Sequence, residues 1–128
     1  MTAADGPAVR RTRDRGAASL FVLAIGLVLV MAGAAGAAIG AARVGRHQAR
    51  LAADAGALAG AVLAVEGRQA ACDRAAQLVA ANGGRLVECL VQSLDIVVRA
   101  EVTVTPLPGL VRRVTAAARA GPVTDLPR

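Results

Sequence analysis

The chain has 128 residues and a formal net charge of +6, with arginine supplying all fifteen of its basic residues. That length allows at most one small domain, and one Phe with no Tyr or Trp leaves no aromatic set to dominate a core or a ligand pocket. Beyond residue 50 the arginines are dispersed with no aromatics between them to stack on bases, so neither nucleic acid nor a small-molecule ligand is expected as a partner.

Residues 1–15, MTAADGPAVRRTRDR, read as a basic, polar N-terminus in which Arg10, Arg11, Arg13 and Arg15 are diluted only by Asp14. From Ala17 to Ala42 no side chain carries charge, a run of 26 residues. At about 1.5 Å per residue this crosses a hydrocarbon core of about 30 Å, so residues 16–42 are expected to be a transmembrane segment. The greasy half is LFVLAIGLVLVM (20–31); AGAAGAAIGAA (32–42) is almost all small. The same order of basic start, apolar core and small residues describes a cleavable signal peptide, with Ala35-Gly36-Ala37 or Ala32-Gly33-Ala34 as the cut site. A small secreted domain released by signal peptidase is therefore the alternative to an anchored protein.

Four arginines before the span against three after it, Arg43, Arg46 and Arg50, favour a cytoplasmic N-terminus by one charge. The C-terminal arginines pull the other way. Gly36 and Gly40, with Ala32 extending the pair by one turn, make a small-residue stripe of the kind that lets helices approach closely in lipid. A chain this rich in Ala and Gly also produces such spacings by composition.

Past the span nothing interrupts the helical pattern to about Val65, so residues 43–66 are expected to continue the same helix. On a wheel, Val44, Leu51, Leu58, Val62 and Val65 share a narrow stripe, while Ala52, Gly56, Ala59 and Gly60 make a nearly smooth second face. Leu51 and Leu58 are expected to hold the protein's own small domain. Gly56 and Gly60 are expected to offer a close-contact face to other subunits, with possible self-association. Asp54 lies at the border of the large-residue stripe, within i,i+4 reach of Arg50 or open to a partner's cation.

Glu66-Gly67-Arg68 reads as a break. A small helix-plus-sheet domain is expected over 67–122. Its helix covers 69–82 and stops at Asn82-Gly83-Gly84, where glycine accepts a left-handed cap. RLVECLV (85–91) alternates as a strand with Val87, Cys89 and Val91 on one side, and QSLD (92–95) reads as a turn. In IVVRAEVTVT (96–105), Ile96, Val98, Ala100, Val102 and Val104 face one way and Arg99, Glu101, Thr103 and Thr105 the other. Pro106 to Gly109 reads as a loop, and residues 114–120 suit a third strand. Residues 123–128 read as a flexible tail. The fold class is α+β: a long N-terminal transmembrane helix running into a small domain with a short second helix and two or three antiparallel strands.

The two cysteines, Cys72 and Cys89, and the single His47 do not supply a metal-ligand set. On an oxidising side of the membrane the cysteines read as one disulfide between helix and strand; in a reducing compartment they read as two buried thiols. No catalytic constellation is present: Ser19 and Ser93 have no base beside them in the pattern, the carboxylates are scattered, and no glycine loop suits a phosphate. Neither an enzyme nor a cofactor is expected.

DRGAASLFVLAIGLVLV followed by RHQARLAADAGALAGA resembles the TadE/TadG-like proteins of tight-adherence (Flp) pilus assembly. CDRAAQLVAANGGRLVEC before a Val-rich strand, with ARAGP near the end, resembles the small actinobacterial TadE-like proteins found near helicase and secretion genes. The similarity runs from about Asp14 to Pro122. It implies a pseudopilin-like, single-pass membrane protein with a cytoplasmic N-terminus and most of its chain extracytoplasmic. It also implies partners among membrane lipid, other TadE, TadG or pilin-like subunits and secretion machinery. Many relatives carry a prepilin-type cleavage site, a glycine with glutamate five residues on. Here Gly16 and Ala17 stand at the corresponding cut, but the fifth residue after Gly16 is Phe21. That substitution removes the carboxylate expected to meet a neighbouring subunit's new N-terminus.

Overall fold

The structure, a computed structural model, describes residues 7–123, with side chains from residue 14 onward. Helix α1 spans Pro7–Val62, a 3-10 turn follows at Ala64–Glu66, and helix α2 spans Arg68–Ala81. Strands β1 (Arg85–Gln92), β2 (Asp95–Leu107) and β3 (Leu110–Ala120) complete the order. The fold is α+β, with all three strands in one antiparallel sheet of order β1-β2-β3. The chain divides into two compact units, residues 1–37 and 38–128.

In the first unit the helix begins at Pro7, within the stretch read as a polar N-terminus. Proline at the first helical position has its φ already set and gives up a hydrogen bond the helix does not need there. Residues 1–6, part of the expected polar start, lie outside the described residues. The apolar side chains from Leu20 to Met31 are exposed, Leu20 by 69% and Phe21 by 68%. Over an 18-residue window mean hydropathy reaches 2.5, and none of that window is buried by protein.

The second unit is built on very small residues. Its core holds Ala52, Ala53 and Ala57 of α1, Ala71, Ala75 and Val79 of α2, and Ile96, Val98 and Ala100 of β2. Only Ile96, Val79 and Val98 fill it with sizeable, fully buried side chains. A core of alanines gains little from each burial, because transfer free energy scales with apolar area at about 25 cal/mol per Å². The Cys72–Cys89 disulfide joins α2 to β1 across this core, with Cα atoms 5.9 Å apart. The two cysteines are 17 residues apart in sequence, and closing a loop of that length contributes about 3 kcal/mol on the chain-entropy account.

Helix α2 ends as expected. The Gly84 N–H donates to the Val79 carbonyl at 2.9 Å and the Gly83 N–H to the Ala80 carbonyl at 3.0 Å. Gly83 adopts φ +76, the left-handed conformation this cap requires.

The β2 alternation is borne out: Ile96, Val98, Ala100 and Val102 are buried, while Arg99 and Thr103 are exposed. β1 departs from the expectation. Leu86 pairs with Ala100 and Glu88 with Arg99, so Val87 is an extra residue in a bulge. The bulge turns Leu86, Cys89 and Val91 toward the core and leaves Val87 41% exposed. At the far end, residues expected to be loop belong to longer strands: β2 runs through Pro106 to Leu107, and β3 starts at Leu110. The ladder is irregular there, passing from Val104–Arg112 to Leu107–Leu110. Proline has no N–H to donate at that break. The tail beyond Val123 lies outside the described residues.

Candidate functional site: the faces of the first helix

The part of α1 beyond residue 42 has three distinct faces, set by residue size and charge. The first is the small-residue face. Gly45, Ala49, Ala52, Ala53, Gly56 and Gly60 are all buried within the second unit. A Cβ placed on Gly56 would lie 2.6 Å from Val79 Cγ2 and 3.2 Å from the Ala75 carbonyl oxygen. On Gly60 it would lie 2.5 Å from Ile96 Cδ1 and 2.9 Å from the Ala71 carbonyl oxygen. The i,i+4 pair Gly56/Gly60 therefore meets the i,i+4 pair Ala71/Ala75 with backbone close to backbone. This corrects the expectation that Gly56 and Gly60 face other subunits. Their missing side chains are filled by α2 and β2 of the same chain.

The second face is the large-residue stripe, and the roles are reversed there too. Leu51 and Leu58 do not hold the domain; they are 52% and 66% exposed. Val44, Val62 and Val65 are 67%, 75% and 76% exposed. Val44, Leu51, Leu58 and Val65 recur every seven residues, with Gln48, Ala55 and Val62 four residues after the first three. That 3.5-residue average is the spacing of a coiled-coil seam, in which apolar side chains meet a second helix. Val65 lies in the 3-10 turn just past the helix. Asp54 borders this stripe and is exposed, and among the described residues no ion pair joins it to Arg50.

The third face is basic. Arg43, Arg46, His47 and Arg50 of α1 and Arg112 and Arg113 of β3 line an open groove of about 1040 Å³. Its walls also include Ile39 and Ala42 of α1, and Val104, Pro106 and Leu110 of the β2–β3 hairpin. The sequence marked the helical arginines only as flanking charge; it did not show that strand pairing carries Arg112 to them.

Charges on the sheet pair with one another. Glu101 meets Arg85 at 3.1 Å and Arg113 at 3.8 Å beside a polar hollow of about 360 Å³. Arg99 meets Glu88 at 3.1 Å, and Arg119 pairs with Asp95. The Asp95 carboxylate, through its hydrogen bond and its charge, raises the Arg119 guanidinium further above its ordinary value. Exposed pairs of this kind are screened by water and add little to stability.

Among the described residues Gly36 and Gly40 meet no neighbour: a Cβ on either has nothing within 4 Å, and the same holds at Gly16. Ala17, beside Gly16, is exposed within the helix. Among the described residues no group of three His, Cys, Asp or Glu side chains comes together to hold a metal.

These features define a class: a small α+β protein whose one apolar N-terminal helix fits a single-pass membrane anchor. Residues 16–64 match the family model described as Putative Flp pilus-assembly TadE/G-like, so this stretch, most of α1, is a TadE/G-like segment. The match covers the anchor and all three faces of α1, and it ends before α2. It supports a pilus-assembly-related role and, with it, interaction with other pilus components. No curated protein and no solved structure gives a significant match to the chain.

Proposed function

We propose that the chain is a non-enzymatic, pseudopilin-like minor component of Flp pilus assembly or an associated secretion system. Residues 16–42 span the membrane, the N-terminus is cytoplasmic, and the small domain stands on the far side. The reading is supported by the TadE/G-like match over 16–64 and by the apolar helix left bare of protein. The Cys72–Cys89 disulfide supports an oxidising location for the domain, since such bonds persist outside the reducing cytoplasm.

The observation that carries the proposal is the exposed stripe Val44, Leu51, Leu58 and Val62. The domain satisfies its own packing through the glycine face and leaves the larger aliphatics outside, at seam spacing. A helix from another subunit covers that seam. Gly36 and Gly40, with open space around them, are proposed as the continuation of helix contact inside the lipid. Asp54, exposed at the stripe's edge, is placed to meet a partner's cation. Phe21 in place of a glutamate argues that Gly16–Ala17 is not processed as a prepilin.

Site-specific crosslinking tests this. With the native disulfide intact, one cysteine introduced by Leu58→Cys or Leu51→Cys is the only free thiol in the chain. In native membranes, adducts to other subunits are expected from both variants. Absence of adducts from both, with the protein folded and membrane-bound, overturns the proposed packing face.

A further inference from the structure

The basic groove is not used by the packing just described, and it has a second feature beside it. The β2–β3 hairpin tip is apolar and bare: Leu107 and Leu110 are 41% exposed and Val111 is 62% exposed. Pro106 and Leu110 of that hairpin share the groove with Ala38, Ile39 and Ala42 of α1. Those three helical residues belong to the charge-free run that ends at Ala42. The hairpin tip therefore lies level with the last turn of the apolar segment. Arg43, Arg46 and Arg50 begin one residue past that run, and Arg112 and Arg113 follow the tip directly. Among the described residues no carboxylate lies within 4 Å of Arg43, Arg46, Arg50 or Arg112, and none lines the groove.

An apolar tip with an arginine belt behind it matches the order met on leaving a bilayer: acyl chain, glycerol, then phosphate. Guanidinium groups bind phosphate oxygens in a planar, forked geometry, and each basic group near an anionic surface adds to the attraction. We propose that the groove seats the headgroup of an anionic phospholipid, with Leu107, Leu110 and Val111 resting in the interface beside it. The inference rests on the reading of α1 as a membrane anchor. It assigns the arginines to lipid and leaves the Leu51/Leu58 stripe free for a protein partner. The headgroup thereby orients the small domain against the membrane.

The test uses the full chain in nanodiscs of phosphatidylcholine alone or mixed equally with phosphatidylglycerol. Val111→Cys, the only free thiol, carries an environment-sensitive fluorophore. A blue shift is expected in the phosphatidylglycerol discs relative to phosphatidylcholine. Arg46→Gln with Arg112→Gln is expected to abolish it. Arg68→Gln with Arg74→Gln, the same charge removed from α2, is expected to leave it unchanged, and Arg46→Lys with Arg112→Lys to retain most of it. Equal emission in the two discs, or equal loss in both glutamine pairs, overturns the proposal. So does an equal shift on adding inorganic phosphate to phosphatidylcholine discs, which would make this a free-anion site. Failure of the chain to enter either disc overturns the anchor and this inference together. Entry into both without a composition-dependent shift overturns this inference alone.

Discussion

Gly56 and Gly60 decide how close α1 comes to α2, because each faces a backbone carbonyl as well as a side-chain tip. A methyl group on Gly60 meets the Ala71 carbonyl at 2.9 Å, and a carbonyl cannot rotate away as Ile96 Cδ1 can. Gly60→Val is expected to cost about 1–3 kcal/mol of unfolding free energy, the usual range for overpacking a tight contact. Gly36→Ala, in open space, is expected to leave the denaturation midpoint of the domain unchanged. Urea titration of both variants beside the parent chain checks the pair. Equal midpoints for Gly60→Val and the parent would contradict the internal packing of this face. Large residues matter as well: Ile96→Ala removes one of three sizeable, fully buried side chains and is expected to cost about 2–4 kcal/mol in the same titration.

At the scale of elements, the disulfide replaces the large core that the alanines do not provide. Reduction is expected to lower the domain's stability by about 3 kcal/mol, read as the shift in urea midpoint with and without reductant. An unchanged midpoint would mean that α2 and β1 hold together through packing alone. The elements themselves were legible from local chemistry. β2 alternated without a fault, α2 announced its end in Asn82-Gly83-Gly84, and the charge-free run marked the apolar helix. What escaped depends on long-range pairing. Nothing local signals that Val87 is the extra residue of a bulge, since that is a matter of register with β2. The direction of the two α1 faces was misread because leucine usually buries and glycine often does not. Here the domain has a sheet and a second helix so close that only glycine and alanine fit. The seven-residue recurrence of Val44, Leu51, Leu58 and Val65 was the available signal that this stripe is not part of the domain's own core. The basic groove was out of reach, because only the β2–β3 register brings Arg112 to Arg43 and Arg46.

For the molecule as a whole, each face of α1 now has one task. The small residues hold the domain; on the proposals above, the aliphatic stripe is offered to another subunit and the arginines meet the membrane surface. If Leu51 and Leu58 are the docking stripe, Leu51→Ser with Leu58→Ser leaves the fold intact, since both are exposed. It is expected to weaken recovery of the chain with its assembly partners from detergent-solubilised membranes. Recovery equal to that of the parent would move the contact elsewhere. All of this requires that the apolar helix stay attached to the domain. The most direct test is the N-terminus of the mature protein isolated from membranes, determined by sequencing or intact mass. A start at Met1 or Thr2 is expected. A start at Ala17 would retain the anchor but establish prepilin-type processing. A start between residues 36 and 39 would contradict the account, because it would release the domain as a secreted protein.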